Sequence, residues 1–144
     1  MIASLGVMLA IILGAQMAAA PQAQAGPTTP WVGFSQSAGT ASVSGSHRWY
    51  KSRYDYNGGI EQYGTLKDTK IGDTDHAKFR LRVEGYNWWQ WTAKNGNTTL
   101  PDKIYYQPEK YGLTSDASWQ TCQGRILWDI CSTVKTEKRP APID

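Results

Sequence analysis

Residues 77–84 carry the clearest alternation of apolar and polar positions in the chain. One set of alternate positions is apolar and the other is charged: Ala77, Phe79, Leu81 and Val83 against Lys78, Arg80, Arg82 and Glu84. Successive side chains of an extended strand point to opposite faces, so this segment has one apolar and one charged face. The pattern predicts a strand of an antiparallel sheet, with one face on a core and the other in water.

Other short segments are rich in aromatic and β-branched residues and lie between glycine, asparagine and proline turn signals. The predicted strands are 41–45, 47–56, 60–67, 77–84, 86–92, 117–122 and 130–135. In the second strand, Tyr50, Tyr54 and Tyr56 share a face that we expect to point inward. Residues 100–113 contain Pro101 and Pro108 and are predicted to form a long loop.

About seven short strands without helical periodicity predict an all-β fold, a single-domain antiparallel β-sandwich, with a small β-barrel as the alternative. We place the sandwich domain at residues 40–136. Residues 26–39 have little periodicity and are predicted to form a flexible N-terminal arm. Residues 137–144 are predicted to form a flexible C-terminal tail.

The first 25 residues have the pattern of an export signal. Met1 to Ala20 is almost continuously apolar, and Ala23-Gln24-Ala25 is a small-x-small cleavage pattern. We predict cleavage near Ala25, a signal helix that is removed, and a secreted mature chain. No Lys or Arg precedes the apolar run, which leaves open whether Met1 is the true start. A retained anchor is the alternative, but no basic cluster follows the run and no stable membrane anchor is expected.

The net charge of +3 is spread along the chain, without the basic stripe of a nucleic-acid-binding protein. Cys122 and Cys131 are the two cysteines of the sequence. In an exported chain they are expected to form a disulfide, which would join the last two predicted strands across a hairpin.

The aromatic content indicates one candidate binding surface. The chain has seven Trp and eight Tyr, and Trp88, Trp89 and Trp91 lie close together. Flat indoles that stack on sugar rings, with Arg80 and Arg82 as hydrogen-bond donors, would form a carbohydrate- or cell-wall-binding face. The alternative is that these aromatic side chains fill the thin core between two sheets.

The hairpin between the cysteines indicates a second surface. Its tip contains Arg125, Ile126, Leu127 and Trp128. An apolar loop on a disulfide-braced hairpin suits protein binding, including protease inhibition, because a rigid loop loses little freedom on binding. The alternative is that the tip packs on its own domain.

Catalytic and metal-binding patterns are sparse. A small hydrolase would have to use His76, with Asp73 or Asp75 beside it, or His47, and the sequence has no Gly-x-Ser-x-Gly or His-Glu-x-x-His motif. Asp68, Asp73 and Asp75 offer oxygens for calcium but lack the distal Glu of the common calcium loop. We expect no metal, no cofactor and no catalysis.

Gly64-Thr65-Leu66-Lys67-Asp68-Thr69, followed by the alternating strand and the late hairpin with Cys122 and Cys131, resembles the short secreted disulfide-containing β-proteins of actinomycete-type bacteria. These proteins mostly lack an assigned activity, so the resemblance implies no functional residue. The sequence therefore predicts a secreted, non-catalytic binding module whose partner is an extracellular glycan or protein.

Overall fold

The computed structural model describes residues 29–50, 58–106 and 114–140. In these ranges the chain forms nine strands and no helix. The strands are β1 Val32–Ala38, β2 Ala41–Trp49, β3 Ile60–Asp68, β4 His76–Val83, β5 Trp89–Ala93, β6 Asn97–Tyr105, β7 Asp116–Gly124, β8 Asp129–Cys131 and β9 Lys135–Lys138. The predicted signal helix lies outside the described residues. Asn57, the turn signal between the second and third predicted strands, also lies outside them.

Two antiparallel sheets pack face to face, as predicted for a sandwich. The first sheet has the order β1-β2-β3-β6. The second has the order β5-β4-β7-β8, and β9 pairs with β7 on the same side as β8. Among the described strands the sheets do not close into a barrel, since β1 and β6, like β5, remain edge strands.

The core lies between the inward faces of the two sheets. All four apolar residues of β4, Ala77, Phe79, Leu81 and Val83, have no exposed surface, which confirms the alternation in the sequence. The rings of Phe34 and Phe79 stack across the sheets with centroids 5.8 Å apart. Burial of each large apolar side chain contributes about 1.5–3 kcal/mol to folding.

The predicted N-terminal arm is wrong for residues 32–38, which form β1. This strand pairs with all but the last two residues of β2 through the turn at Gly39 and Thr40. Its inward positions are Phe34, Gln36 and Ala38. Because Gln36 is polar, the sequence of β1 does not show alternating apolar and polar residues. The Gln36 amide is satisfied inside the fold, because its oxygen accepts a hydrogen bond from Thr121 Oγ1 at 3.0 Å and its nitrogen donates one to the Thr133 carbonyl at 2.9 Å.

The predicted break between residues 45 and 47 is also wrong, because β2 runs through it. His47 and Trp49 point inward and are buried, whereas Tyr50 is only partly buried, so the face predicted to point inward is the wrong one in the described part. Gly45 does not end the strand. It stands opposite Gly64 of β3, where the two backbones approach closely.

The loop predicted from residue 100 is a strand as far as Tyr105. Pro101 is tolerated because β6 is an edge strand of the first sheet. The register of β3 and β6 shifts between Gln62 and Gly64, opposite Pro101 and Asp102. This shift brings Lys103 opposite Gln62 and Tyr105 opposite Ile60.

The final strand predicted at 130–135 is divided into β8 and β9. Between β8 and β9, Ser132 binds Thr121 of β7 through its backbone nitrogen and its hydroxyl. The nitrogen donates to the Thr121 carbonyl at 2.9 Å, and the hydroxyl accepts a hydrogen bond from Thr121 N at 3.1 Å, where the partner strand would otherwise supply a backbone carbonyl. The predicted tail is wrong at its start, because Glu137 and Lys138 belong to β9.

Three of the connections lie at one end of the sandwich, and the ends of the described chain lie at the other. The β3–β4 loop, the β5–β6 turn and the β7–β8 loop share one end, where Gly72 N donates to Asn95 Oδ1 at 2.8 Å. The described chain begins and finishes at the other end. There Thr29 N donates to the Trp49 carbonyl and Arg139 N donates to the Ser115 carbonyl.

Candidate functional site

The β7–β8 loop exposes three consecutive large apolar side chains. The exposed fraction is 80% for Ile126, 81% for Leu127 and 60% for Trp128. Ile71 of the β3–β4 loop, at the same end of the sandwich, is 77% exposed. These four are the most exposed large apolar side chains in the described part of the chain, and we call them the apolar end. The loop does not pack onto its own sheets, which was the alternative prediction.

Covalent and polar contacts hold the loop at its base. Cys122 and Cys131 face each other in the β7–β8 ladder and form the predicted disulfide. The Asp75 carboxylate accepts a hydrogen bond from Gln123 Nε2 at 2.5 Å and lies 3.5 Å from Arg125 Nε. The disulfide and the Asp75 contacts therefore fix the base of the β7–β8 loop to its two strands and to the β3–β4 loop.

A notch of about 310 Å³ lies between the two loops. It is lined by Thr74, Asp75 and residues 125–128. The loops at this end carry three basic residues, Lys70, Lys94 and Arg125, and two acidic ones, Asp73 and Asp75, while the buried Asp68 ends β3 beside them. Lys70 Nζ lies 3.4 Å from Asp73, so part of this charge is already paired. The apolar end thus has little net charge.

The residues predicted to bind carbohydrate are divided between two faces. Trp89 and Trp91 lie on the inner side of β5, partly buried, and Trp91 packs 5.8 Å from Phe79. Trp88 precedes β5, and the Arg82 guanidinium lies 4.5 Å from the centre of its ring. The three indoles therefore do not form one platform.

Arg80 lies on the outer face of the second sheet beside Lys78, and both contact Asp129. Lys78 Nζ donates to both Asp129 oxygens at 2.8 and 3.0 Å, and an Arg80 terminal nitrogen donates to one of them at 2.7 Å. Burial opposes ionisation of Asp129, but the hydrogen bond and charge of Lys78, with the charges of Arg80 and His76, lower its pKa below the usual value. Arg80 is engaged in this ion-pair group.

Aromatic residues form a cleft that the sequence did not indicate as a site. The cleft measures about 300 Å³ and lies between the edge strands β5 and β6. We call it the aromatic cleft, and its lining residues are Trp89, Lys103, Ile104, Tyr105 and Tyr106. Burial raises the pKa of Tyr105 to about 12. The aromatic pair Tyr105-Tyr106 was the available signal, but Pro101 and Pro108 favoured a loop.

The two histidines lie far from each other in the fold. His47 is buried, and its Nε2 lies 3.0 Å from a carboxylate oxygen of Glu137, a contact that the sequence did not predict. His76 begins β4 and stands opposite Gly124. No hydrogen bond among the described residues joins either histidine to a serine hydroxyl.

The three aspartates considered for calcium serve the loops instead. Asp68 is buried, and its carboxylate accepts hydrogen bonds from the backbone nitrogens of Lys70 and Asn95. The Asp73 carboxylate accepts one from the backbone nitrogen of Asp75. Asp129 lies near Cys122 and Cys131. Both cysteine sulfurs are bonded to each other, so they are not available to a metal in this oxidised form.

The disulfide is compatible with an extracellular location. The described residues contain no helix that is long and apolar enough to cross a membrane. Comparison with protein families, with curated proteins and with solved structures gives no match for this chain.

Proposed function

We propose that this chain is a secreted binding module that docks through its apolar end onto an apolar patch of a partner protein. One observation carries the proposal, the exposure of Ile126, Leu127 and Trp128 on a loop braced by the disulfide. Scattered apolar residues are normal on a protein surface, but three large exposed ones in a row on one loop form a patch.

The energetics favour binding through this loop. Removing each of these side chains from water is worth about 1.5–3 kcal/mol when it is fully buried. The fixed base of the loop lowers the conformational entropy that is lost on association. A partner therefore gains apolar contacts without first having to order the loop.

The partner is a protein rather than a lipid surface or a second copy of this chain. The balanced charge of the apolar end supplies no attraction to anionic headgroups. The notch beside Thr74 and Asp75 offers a concave, polar-edged position for one side chain of a partner. Four side chains are also a smaller surface than the roughly 800 Å² per partner of a stable interface, which argues against a permanent dimer.

Secretion is part of the proposal. It rests on the apolar residues 1–20, on Ala23-Gln24-Ala25, and on the resemblance to short secreted disulfide-containing β-proteins. The described chain begins and finishes opposite the apolar end.

The test combines photo-crosslinking with affinity measurement. A photoreactive amino acid replaces Leu127 in one sample and Val32, a half-exposed apolar residue of β1, in the control. Both are incubated with the secreted and cell-surface proteins of the producing organism. We expect a protein that crosslinks at position 127 and not at position 32.

The crosslinked protein is then purified and titrated by calorimetry. We expect L127D to weaken binding at least tenfold, or about 1.4 kcal/mol, because a carboxylate replaces a buried side chain. V32D should bind as the unchanged protein does. Equal weakening by both variants would refute the proposed site, and so would binding to lipid vesicles that L127D abolishes with no protein crosslinked.

A further inference from the structure

We infer that the aromatic cleft binds one six-membered sugar ring that carries a carboxylate. The cleft lies beside the packed rings of Trp89 and Tyr105, toward the end of the sandwich opposite the apolar end. The inference is independent of the proposed function, because it rests on different residues and a different ligand.

The position and size of the cleft suit a small ligand. β5 and β6 are edge strands of opposite sheets, so the interior of the sandwich is accessible between them. A volume of about 300 Å³ is at the lower end of the range for small-molecule sites, roughly 300–1,000 Å³. This space accommodates one sugar ring.

Aromatic rings supply the apolar part of the site. The Trp89 and Tyr105 rings have centroids 5.1 Å apart and are inclined by 58° to each other. Trp91 supports Tyr105 from behind, edge to face, at 5.7 Å. A sugar ring has apolar C–H faces, and the accessible surfaces of Tyr106 and of Trp89, which packs on the buried Tyr105, remove those faces from water at little entropic cost.

Buried polar groups beside the cleft lack partners. Among the described residues, the Tyr105 hydroxyl and the Gln62 side-chain nitrogen have no hydrogen-bond partner, although both residues are only 2% exposed. A buried donor without a partner costs about 1–3 kcal/mol. Tyr105 lines the cleft and Gln62 stands opposite Lys103, so both donors lie just beneath the surface of the cleft, and a side-chain shift on binding would give them sugar hydroxyls as partners.

Lys103 provides the charge. Its ammonium lies 5.9 Å from the centre of the Tyr105 ring, and it has no ion pair within the described ranges. Lys103 lies on the same face of β6 as Tyr105, two residues on, and the shift of register at Pro101 and Asp102 sets it opposite Gln62. A ligand that stacks on the rings therefore meets a cation at the rim, which favours a carboxylate substituent.

The test uses four probes: the methyl glycosides of glucuronic and galacturonic acid, methyl glucoside, and acetate. Binding is followed by ligand-observed NMR and by the indole resonances of the protein. We expect at least one uronate to bind more tightly than methyl glucoside and acetate, with shifts at Trp89 and not at Trp128. Uronates that produce no saturable shift would overturn the inference, and so would acetate binding as tightly as a uronate.

Variants separate the contributions. K103Q should lower uronate affinity about tenfold and remove the preference over methyl glucoside. Y105F should weaken both sugars about fivefold and keep the preference. K94Q is the matched control and should change nothing. Loss of uronate binding in K94Q equal to that in K103Q would show general charge attraction and refute the site. L127D should bind uronates normally, which distinguishes this site from the apolar end.

Discussion

Trp49 Nε1 donates a hydrogen bond to a carboxylate oxygen of Glu137 at 3.1 Å, and this contact joins the first sheet to the second. The same oxygen lies 3.0 Å from His47 Nε2. Trp49 and His47 are neighbouring inward positions of β2, and Glu137 lies on β9. One carboxylate oxygen therefore serves two buried groups and fastens the last strand to the core.

Glu137→Ala should lower the free energy of unfolding by about 2–3 kcal/mol, because the Trp49 indole and the His47 ring both lose their partner. E137Q keeps an oxygen acceptor and should lose less. Denaturant unfolding followed by tryptophan fluorescence measures the effect. The control is K138A on the next, exposed position of β9. A loss in K138A as large as in E137A would contradict this role.

Asp129→Asn should lower the free energy of unfolding by about 1–2 kcal/mol at neutral pH, since Lys78 and Arg80 lose a shared carboxylate. The folded-state pKa of Asp129 is lowered. Its contribution is therefore present above the unfolded pKa of about 3.9 and is lost as the pH falls through the folded pKa. Unfolding curves of D129N and the unchanged protein should converge in acid.

Asp102→Asn removes a carboxylate in the same way, but it should not lower the free energy of unfolding. Burial and the neighbouring Glu61 raise the pKa of Asp102, so the folded state disfavours its charge. At neutral pH, D102N should be as stable as the unchanged protein or more stable. A loss in D102N equal to that in D129N would indicate that removal of charge alone explains both results.

Tyr105→Phe should change the stability of the protein at alkaline pH. Burial raises the folded pKa of Tyr105 to about 12, whereas the pKa of an unfolded tyrosine is about 10. The unfolded state therefore releases its proton first, and stability falls as the pH rises from about 10 to about 12. Y105F should lack this part of the fall. Identical alkaline unfolding of the two proteins would contradict a buried hydroxyl.

Gly64→Ala should lower the free energy of unfolding by about 1–3 kcal/mol, because a new Cβ would collide with the Ser44 carbonyl on the neighbouring strand. Gly33→Ala is the control within the same sheet, since its Cβ would meet nothing closer than the Gly45 carbonyl at 3.9 Å. Thermal unfolding compares the two. If G33A is as unstable as G64A, the close approach of β2 and β3 is not the cause.

Removal of the disulfide by C122S together with C131S should lower the free energy of unfolding by about 2–3 kcal/mol, as expected for a closed ring of about ten residues. The protein should still fold, because the core between the sheets lies apart from the loop. Denaturant unfolding with and without reductant provides the measurement. A reductant effect that persists in the double variant would show that the disulfide is not its source.

The sequence predicted most strands of the second sheet but not the order in which the strands pair. The alternation of residues 77–84 predicted β4, because each inward position there is apolar and each outward one is polar. Where an inward position is polar, the alternation disappears, as at Gln36 of β1 and Gln62 of β3. These amides are acceptable inside the fold only through contacts with distant residues, or at the border of a cleft, and local sequence carries no information on either.

The candidate surfaces, like the strands, have some features that the sequence predicts and others that only the tertiary structure decides. The sequence by itself determined the antiparallel β class, the disulfide and the apolar character of the loop at 125–128, because side-chain alternation and cysteine pairing are local or unique in this chain. Tertiary structure alone decided that the loop at 125–128 stays exposed, that Trp88 separates from Trp89, and that Trp89 of β5 meets Tyr105 of β6 beside a cleft. Those relationships depend on strand order and on a shift of register, which arise from pairing between segments far apart in the chain.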